Sequence, residues 1–235
     1  MRKFLPLFYF LTFILSANAQ DIQRKQLIAS RITSNIHIDG ILNEPEWADV
    51  AEATDFTQFQ FVYGKPSAYA TSIKVMYDNT AIYIGATMYD PHPDSIQKDL
   101  AARDEFGSAD FIGIIMDPYQ EGVNGIEFFV TASGVQAEAK TYPNSDNGED
   151  FTWDAVWVSA AKITEKGWVA ELKIPFSAIR FPNKDEQSWY INFVREVKRN
   201  RDKSAWNAID PQVQGFVNQS GILTGINNIK APVRL

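Results

Sequence analysis

Alternation of apolar and polar residues runs through most of the chain beyond residue 25, and clusters of turn residues interrupt it at short intervals. Successive side chains of a strand point to opposite faces of its sheet, so this period predicts strands with one buried face. Helical periodicity is almost absent. About ten strands at this spacing are typical of an all-β fold. The sequence therefore predicts a single antiparallel β-sandwich of the jelly-roll type with one or two short helices.

Two hairpins are the clearest local predictions. Residues 71–89 alternate on both sides of Asp78-Asn79-Thr80, and residues 126–139 alternate on both sides of Ser133-Gly134. Further strands are predicted over residues 110–116, 153–163, 168–174, 189–197 and 221–226. Short helices are predicted over residues 43–49, with Asn43 as the capping side chain, and over residues 175–179.

The N-terminus has the pattern of an export signal. Met1-Arg2-Lys3 is basic, Phe4 to Leu15 is almost wholly apolar, and Ala17-Asn18-Ala19 presents small residues at a cleavage position. The apolar stretch is shorter than the roughly 20 residues that a membrane-spanning helix requires. We therefore expect residues 1–19 to be removed, and the mature domain to be periplasmic, associated with the outer membrane or secreted.

Composition excludes several kinds of chemistry. The chain has no cysteine, which rules out a thiolate nucleophile, a cysteine zinc site and an iron–sulfur cluster. Its formal charge of −7 argues against nucleic acid as a partner. The histidines are His37 and His92, and no Gly-x-Ser-x-Gly motif accompanies them. No catalytic residues are predicted, and we expect a protein that is not an enzyme.

The ten residues from Ile38 to Trp47, IDGILNEPEW, resemble the opening signature of family 9 carbohydrate-binding modules. Later segments at residues 75–79, 82–84, 110–118 and 167–176 follow in the order of that family. The resemblance covers residues 35–227, leaving residues 20–34 as a lead-in and residues 228–235 as the start of a linker or following region. It is nearest to modules at the N-terminus of long exported Bacteroidetes proteins, in which an uncharacterised outer-membrane-type region follows.

This resemblance implies a non-catalytic domain that binds a polysaccharide or oligosaccharide. In sugar-binding members two tryptophans sandwich the terminal sugar, and the matching positions here are Phe106-Gly107 and Phe216. An acidic contact of the family falls at Gly113, and a basic and amide pair falls at Phe129 and Thr131. The chain is expected to be a monomer, with an outer-membrane β-barrel region or an envelope protein as a further partner.

Sugar sites combine aromatic faces with carboxylates, amides and arginines that fix the hydroxyl groups. The candidate ligand-binding residues of this kind are Arg103, Asp104, Asp110, Trp206, Asn207 and Phe216. The alternative for Arg103, Asp104 and Asp110 is a structural ion pair with a turn. The alternative for Trp206 is ordinary loop packing, and Trp47 and Trp168 are expected in the core.

Oxygen-bearing side chains concentrate in one turn-rich stretch, where calcium is a candidate cofactor. The candidate ligands are Asn144, Asp146, Glu149 and Asp150, and a solvated acidic loop is the alternative.

Two other functions stay open. The first is an envelope scaffold or interaction domain that keeps the fold but has lost sugar binding. The second is a redox domain that holds haem through methionine, for which Met76 and Met88 are available, although their alternation with core residues favours packing.

Overall fold

The computed structural model describes residues 23–142 and 148–231. Strands dominate it, as the period-two pattern predicts. They are β1 (Gln26–Ile28), β2 (Ser30–Arg31), β3 (Glu52–Ala53), β4 (Thr57–Gln60), β5 (Thr71–Tyr77), β6 (Ala81–Tyr89), β7 (Phe111–Asp117), β8 (Gly125–Thr131), β9 (Gln136–Thr141), β10 (Glu149–Asp150), β11 (Val158–Thr164), β12 (Gly167–Pro175), β13 (Glu186–Val197), β14 (Asp202–Ala205) and β15 (Gly221–Asn227). Single 3-10 turns lie at Pro45–Trp47, Pro93–Ser95, Phe176–Ala178, Lys198–Asn200 and Val217–Gln219.

The strands form two sheets packed as a sandwich, which confirms the predicted fold class. The larger sheet has the order β1-β15-β13-β7-β8-β9-β10, and β14 pairs with β13 and with β4. The smaller sheet has the order β11-β12-β6-β5-β2, with β3 also on β5. Pairing is antiparallel except for β1 on β15 and β2 on β5. Residues 26–31, in the predicted lead-in, therefore contribute one strand to each sheet.

Both predicted hairpins are confirmed, as β5–β6 and β8–β9. The predicted helices are each reduced to one 3-10 turn, and the capping role of Asn43 is wrong. Glu44 occupies the cap position, and no side chain there bonds the turn. A three-residue turn leaves Asn43 outside it. Within the part of the chain that the structure describes, no helix has the length and apolarity of a membrane span.

The predicted strand over residues 153–163 is shorter in the structure, where β11 begins at Val158. The preceding residues make side-chain contacts and do not form the hydrogen bonds of a strand. Trp153 and Trp157 both set their rings against Phe128, at centroid distances of 5.8 and 5.3 Å. The Nε1 of Trp157 donates to Glu138 at 3.0 Å. The backbone N–H of Ala155 also donates to Glu138 at 2.9 Å, so this segment bonds a side chain where a strand would bond a neighbouring strand.

Buried apolar residues form one cluster between the sheets and one on the outer face of each sheet. Trp168 is fully buried between the sheets, as expected. Trp47 is also buried, but it lies on the outer face of the smaller sheet rather than between the sheets. Every residue of β7 is buried, because its inward side chains pack between the sheets and its outward ones pack in the apolar cluster on the outer face of the larger sheet. This explains the unbroken apolar run in that strand.

The signature around Asp39-Gly40 is fastened to the smaller sheet by a buried carboxylate. Glu171 Oε2 accepts hydrogen bonds from the backbone N–H of Asp39 at 2.9 Å and of Gly40 at 2.8 Å. Gly40 has a φ of 82°, which favours glycine. Burial raises the pKa of Glu171. The motif therefore has a structural role, which is to hold the N-terminal segment against the sandwich.

Candidate functional site

A pocket of about 310 Å³ opens on the outer face of the larger sheet. Strand alternation builds it, because one face of each strand points between the sheets and the other points into the pocket. The described lining residues are Phe106, Phe111, Ile115, Glu127, Phe129, Glu149, Phe151, Val194, Glu196, Lys198, Lys203 and Phe216. We call this the aromatic pocket.

One wall of the aromatic pocket consists of four packed phenylalanine rings. The centroid of Phe106 lies 4.8 Å from that of Phe111, 5.2 Å from Phe129 and 5.8 Å from Phe151. Two of these pairs meet edge to face, which is a favoured arrangement of aromatic rings. Phe106 and Phe151 are partly exposed, whereas Phe111 and Phe129 are buried beneath them.

Phe216 forms a second, separate wall. It packs edge to face against Phe59 of β4 at 5.7 Å. Lys203 links the two walls, with its Nζ 6.0 Å from the ring of Phe59 and 5.7 Å from that of Phe111. The structure therefore brings Phe106 and Phe216, the two positions matched to the sandwiching tryptophans, into one pocket from different segments of the chain.

Two carboxyl groups meet within the pocket. Glu127 is buried and accepts a hydrogen bond from the hydroxyl of Thr141, and its carboxyl group also hydrogen-bonds that of Glu149. Burial and the neighbouring Glu149 raise the pKa of Glu127 to about 8, while the charge of Lys203 opposes this shift. Desolvation of its carboxyl group beside Glu127 also raises the pKa of Glu149, although the residue as a whole is exposed. The pair therefore holds a proton at neutral pH, which Glu127 donates to Glu149, and Glu149 keeps oxygen atoms that can accept hydrogen bonds.

A further ion pair lies at the pocket. Lys198 Nζ is 3.0 Å from Glu196 Oε1 and 5.5 Å from the centroid of the Phe111 ring. Its aliphatic stem thus covers an aromatic face while its ammonium stays beside a carboxylate.

Gly113 and Phe129, which both depart from the family pattern, pack against each other. A Cβ added to Gly113 would lie 2.6 Å from atoms of the Phe129 ring, so the ring rests directly on the glycine backbone. An acidic side chain at Gly113 could not coexist with Phe129 in this position. Thr131, at the amide position, is buried and bonds Ser133 and Val135 instead of facing a ligand.

The interpretation of Trp206 as an exposed platform is wrong. Trp206 is 3% exposed, and its ring packs against Phe193 at 5.6 Å and on the backbone of Gly221. Its backbone N–H donates to the carbonyl of Phe193 at 2.9 Å, which continues the pairing of β14 with β13 and directs the indole between the sheets. Ordinary packing, the alternative, is what the structure shows.

Asn207 is also structural. It is 1% exposed, and its side chain accepts from the N–H of Lys25 at 2.8 Å and donates to the carbonyl of Gln219 at 2.6 Å. These bonds tie the N-terminal segment to the loop that carries Phe216. Because its polar atoms are used inside the fold, Asn207 is not available to a ligand.

Arg103 and Asp104 form a structural ion pair with a turn, which was the alternative to a role in ligand binding. Arg103 Nη2 donates to both oxygens of Glu138, at 2.6 and 2.7 Å, and Glu138 is fully buried. Asp104, with a φ of 67°, accepts from the backbone N–H of Glu138 at 3.3 Å. Arg103 therefore neutralises the buried carboxylate of Glu138, and Asp104 fixes the backbone of the same residue.

Asp110 lies at the end of the sandwich core. Its Oδ1 accepts from the N–H of Lys198 at 2.9 Å. Burial raises its pKa to about 6, while Arg195 and Arg199 oppose this shift. Arg195 is itself fully buried and donates to the carbonyl of Ala70 at 2.9 Å. Asp110 thus positions the backbone of a pocket lysine and does not line the pocket itself.

The candidate calcium ligands are only partly described. Asn144 and Asp146 lie outside the described residues. Glu149 lines the aromatic pocket, and Asp150 accepts from the N–H of Thr152 at 2.9 Å. Among residues 23–142 and 148–231, no group of three or more histidine, aspartate or glutamate side chains is placed to hold a metal ion. The calcium site stays a prediction.

The methionines considered for haem are both fully buried. Met76 packs on the outer face of the smaller sheet, whereas Met88 packs between the sheets. They therefore lie on opposite faces of the sheet, as core residues.

Sequence reasoning missed Glu127, Glu149 as its partner, and the rings of Phe59, Phe111 and Phe151. Glu127 alternates with Ile126 and Phe128, a pattern that usually places a glutamate in solvent. The unusual density of phenylalanine, 16 residues in the chain, was the available signal.

The fold and the pocket define a class, namely β-sandwich domains with an aromatic-lined pocket on one sheet. A family model described as carbohydrate family 9 binding domain-like matches residues 38–220. The chain belongs to this family. No curated protein sequence gives a significant match.

Solved structures share the fold at low identity. A family 9 carbohydrate-binding module from Caldicellulosiruptor kristjanssonii in complex with cellotriose has 15% identity and a TM-score of 0.59, with 89% of this chain and 95% of that chain covered. Such a module from that organism in complex with glucose has 14% identity and a TM-score of 0.60, with coverages of 88% and 100%. A candidate carbohydrate-binding protein from Bacteroides uniformis has 11% identity and a TM-score of 0.66, with coverages of 86% and 99%.

Proposed function

We propose that this protein is an exported, non-catalytic carbohydrate-binding domain that holds a sugar in the aromatic pocket. The observation that carries the proposal is that Phe106 and Phe216, at the positions matched to the sugar-stacking tryptophans, line the same pocket. Family membership and the sugar complexes of the similar structures support the same class of ligand.

The pocket has the two kinds of surface that a sugar requires. Phenylalanine rings suit the apolar face of a pyranose ring, and polar groups at the rim suit its hydroxyls. Lys203 and the Glu196–Lys198 pair supply charged partners, and the Glu127–Glu149 pair supplies acceptor oxygens. Its volume of about 310 Å³ is at the small end of ligand pockets, which favours one sugar unit.

The same carboxyl pair argues against hydrolysis. Glycoside hydrolases separate their two carboxyl groups by about 5–9.5 Å, to leave room for the reacting carbon or a water. The carboxyl groups of Glu127 and Glu149 hydrogen-bond each other, which leaves no room for a reacting carbon or a water between them. A binding role therefore fits this pair better than acid–base chemistry.

The export part of the proposal is supported by the basic and apolar pattern of residues 1–19. The resemblance to modules of long exported proteins supports a location at the cell envelope, within a larger polysaccharide-processing or outer-membrane protein. The domain acts there by holding a polysaccharide near the rest of that protein.

Affinity gel electrophoresis against soluble xylan, mannan, mixed-linkage glucan and hydroxyethyl cellulose tests the proposal, with calcium and with chelator. We expect at least one polymer to retard the protein and Phe216→Ala to lose most of the retardation. Tyr119→Ala is the matched control, because Tyr119 is an exposed aromatic outside the aromatic pocket, and it should behave as the wild type.

Absence of retardation on every polymer would favour the envelope scaffold that has lost sugar binding. Loss of retardation in chelator would support the calcium prediction, and unchanged retardation would oppose it.

A further inference from the structure

A group of exposed apolar side chains lies at the turn that follows β4. Phe61 is 69% exposed and Tyr63 is 52% exposed, with Val62 between them. Adjacent exposed apolar residues of this size mark interaction sites more often than isolated ones do. We call Phe61, Val62 and Tyr63 the aromatic tip.

The aromatic tip is held in place by backbone bonds. The N–H of Gln58 donates to the carbonyl of Lys65 at 2.7 Å, and the N–H of Gly64 donates to that of Gln58 at 2.9 Å. Phe61 has a φ of 64°, in the left-handed region that a bulky residue rarely adopts. Such a conformation persists where its surroundings fix it, and it is common at binding sites.

The tip is continuous with the wall of the aromatic pocket. Phe59, two residues before Phe61, contacts Phe216 and lies near Lys203. The guanidinium of Arg201 lies 5.7 Å from the Phe61 ring. Two pairs of ring and cation thus follow one another: Phe59 with Lys203 at the pocket, and Phe61 with Arg201 at the tip, just outside β4 and β14.

Tyr63 connects the tip to the opposite segment. Partial burial raises the pKa of Tyr63, and the neighbouring Asp210, which shares a hydrogen bond with it, raises the pKa further. Asp210 belongs to the loop that leads to Phe216, and its N–H is fixed by Gln219 at 2.8 Å. The tip therefore stands beside both segments that form the Phe216 wall.

Resting on the proposed function, we propose that Phe61 and Tyr63, with Arg201, form a second subsite for an oligosaccharide whose end occupies the aromatic pocket. Phe61 follows Phe59 by two residues, which span at most about 7 Å, a length comparable with one sugar unit, so the next ring of a bound chain reaches Phe61. Aromatic faces beside an arginine and an aspartate suit a sugar. Three tip side chains are far fewer than the roughly 20–30 residues per side of a stable protein interface.

Isothermal titration calorimetry with glucose, cellotriose and cellohexaose, and with the matching xylose and mannose series, tests this subsite. We expect the hexamer of the preferred series to bind about tenfold more tightly than its monosaccharide, as removal of an aromatic anchor from an interface commonly costs this much. Phe61→Gly, which removes the ring and suits the left-handed backbone, should abolish most of that gain and leave the monosaccharide affinity within about twofold. Phe61→Trp should retain the gain.

Tyr119→Ala is the control, because Tyr119 has the same 52% exposure as Tyr63 but lies outside the aromatic pocket. Monosaccharide binding without any gain from length, or an unchanged gain in Phe61→Gly, would overturn the subsite and leave the proposed function standing. Failure of every sugar of every length to bind would overturn both.

Discussion

On the outer face of each sheet an aromatic ring rests on a glycine, but only the face of the larger sheet keeps an open pocket. On the smaller sheet, the ring of Trp47 lies against Gly85, where an added Cβ would come within 3.0 Å of it. On the larger sheet, the ring of Phe129 lies against Gly113, where an added Cβ would come within 2.6 Å. In both places a glycine makes room for an aromatic ring on the surface of a sheet.

The faces differ in what covers the ring. The segment from Ile32 to Val50 lies over the smaller sheet, and Trp47 is 2% exposed within it. On the larger sheet, partly exposed rings and a carboxyl pair leave a pocket above Phe129. A sheet face covered by its own chain contributes stability, whereas a face left open among aromatic and charged groups can bind a ligand.

Removal of Trp47, on the covered face, should have the largest effect on stability. Trp47→Ala leaves a cavity under a segment that the tryptophan holds in place, so we expect a loss of about 3–5 kcal/mol in the free energy of unfolding. Urea unfolding followed by circular dichroism measures it. Sugar binding by the folded variant should be unchanged, because the pocket is on the other sheet. A loss below about 1 kcal/mol would contradict the structural role of Trp47.

The two glycines provide a direct test of the difference between the faces. Gly85→Ala should cost about 1–3 kcal/mol, because Trp47 is enclosed and the added methyl has no space. Gly113→Ala should cost less, because Phe129 can shift towards the pocket, but it should weaken sugar binding by narrowing the site. Thermal unfolding and affinity electrophoresis of both variants measure these effects. Equal stability losses with unchanged binding would remove the distinction between the two faces.

Much of the fold follows from local pattern, because each strand of β5–β6 and β8–β9 carries its own alternation and turn residues. The short strands β1, β2 and β14 lack such a signal, since their pairing depends on segments distant in sequence. The site was harder to predict. The burial of Trp206 depends on the continuation of β14 along β13, and charged neighbours in the sequence gave the opposite impression. Resemblance to the family located Phe216, whereas Glu127 needed the three-dimensional structure.

A pH titration tests the carboxyl pair on the open face of the larger sheet. In the folded chain Glu127 keeps its proton up to a pKa of about 8, whereas an unfolded glutamate ionises near 4.5. Between these values unfolding releases a proton, so rising pH favours the unfolded state. This contribution to stability is fully present below about pH 4.5 and is lost as the pH rises through the folded pKa. The slope reaches at most about 1.4 kcal/mol per pH unit.

Glu127→Gln mimics the protonated acid and should remove most of this dependence. We expect the variant to match the wild type at pH 5 and to exceed it in stability at pH 8. Comparison with the wild type isolates this group from Asp110 and Glu171, whose pKa values burial also raises. Glu186→Gln, an exposed glutamate of β13, is the control and should leave the pH profile unchanged. Parallel profiles for wild type and Glu127→Gln would mean that the pocket carboxyls ionise freely, and the proton assigned to the Glu127–Glu149 pair would then be absent.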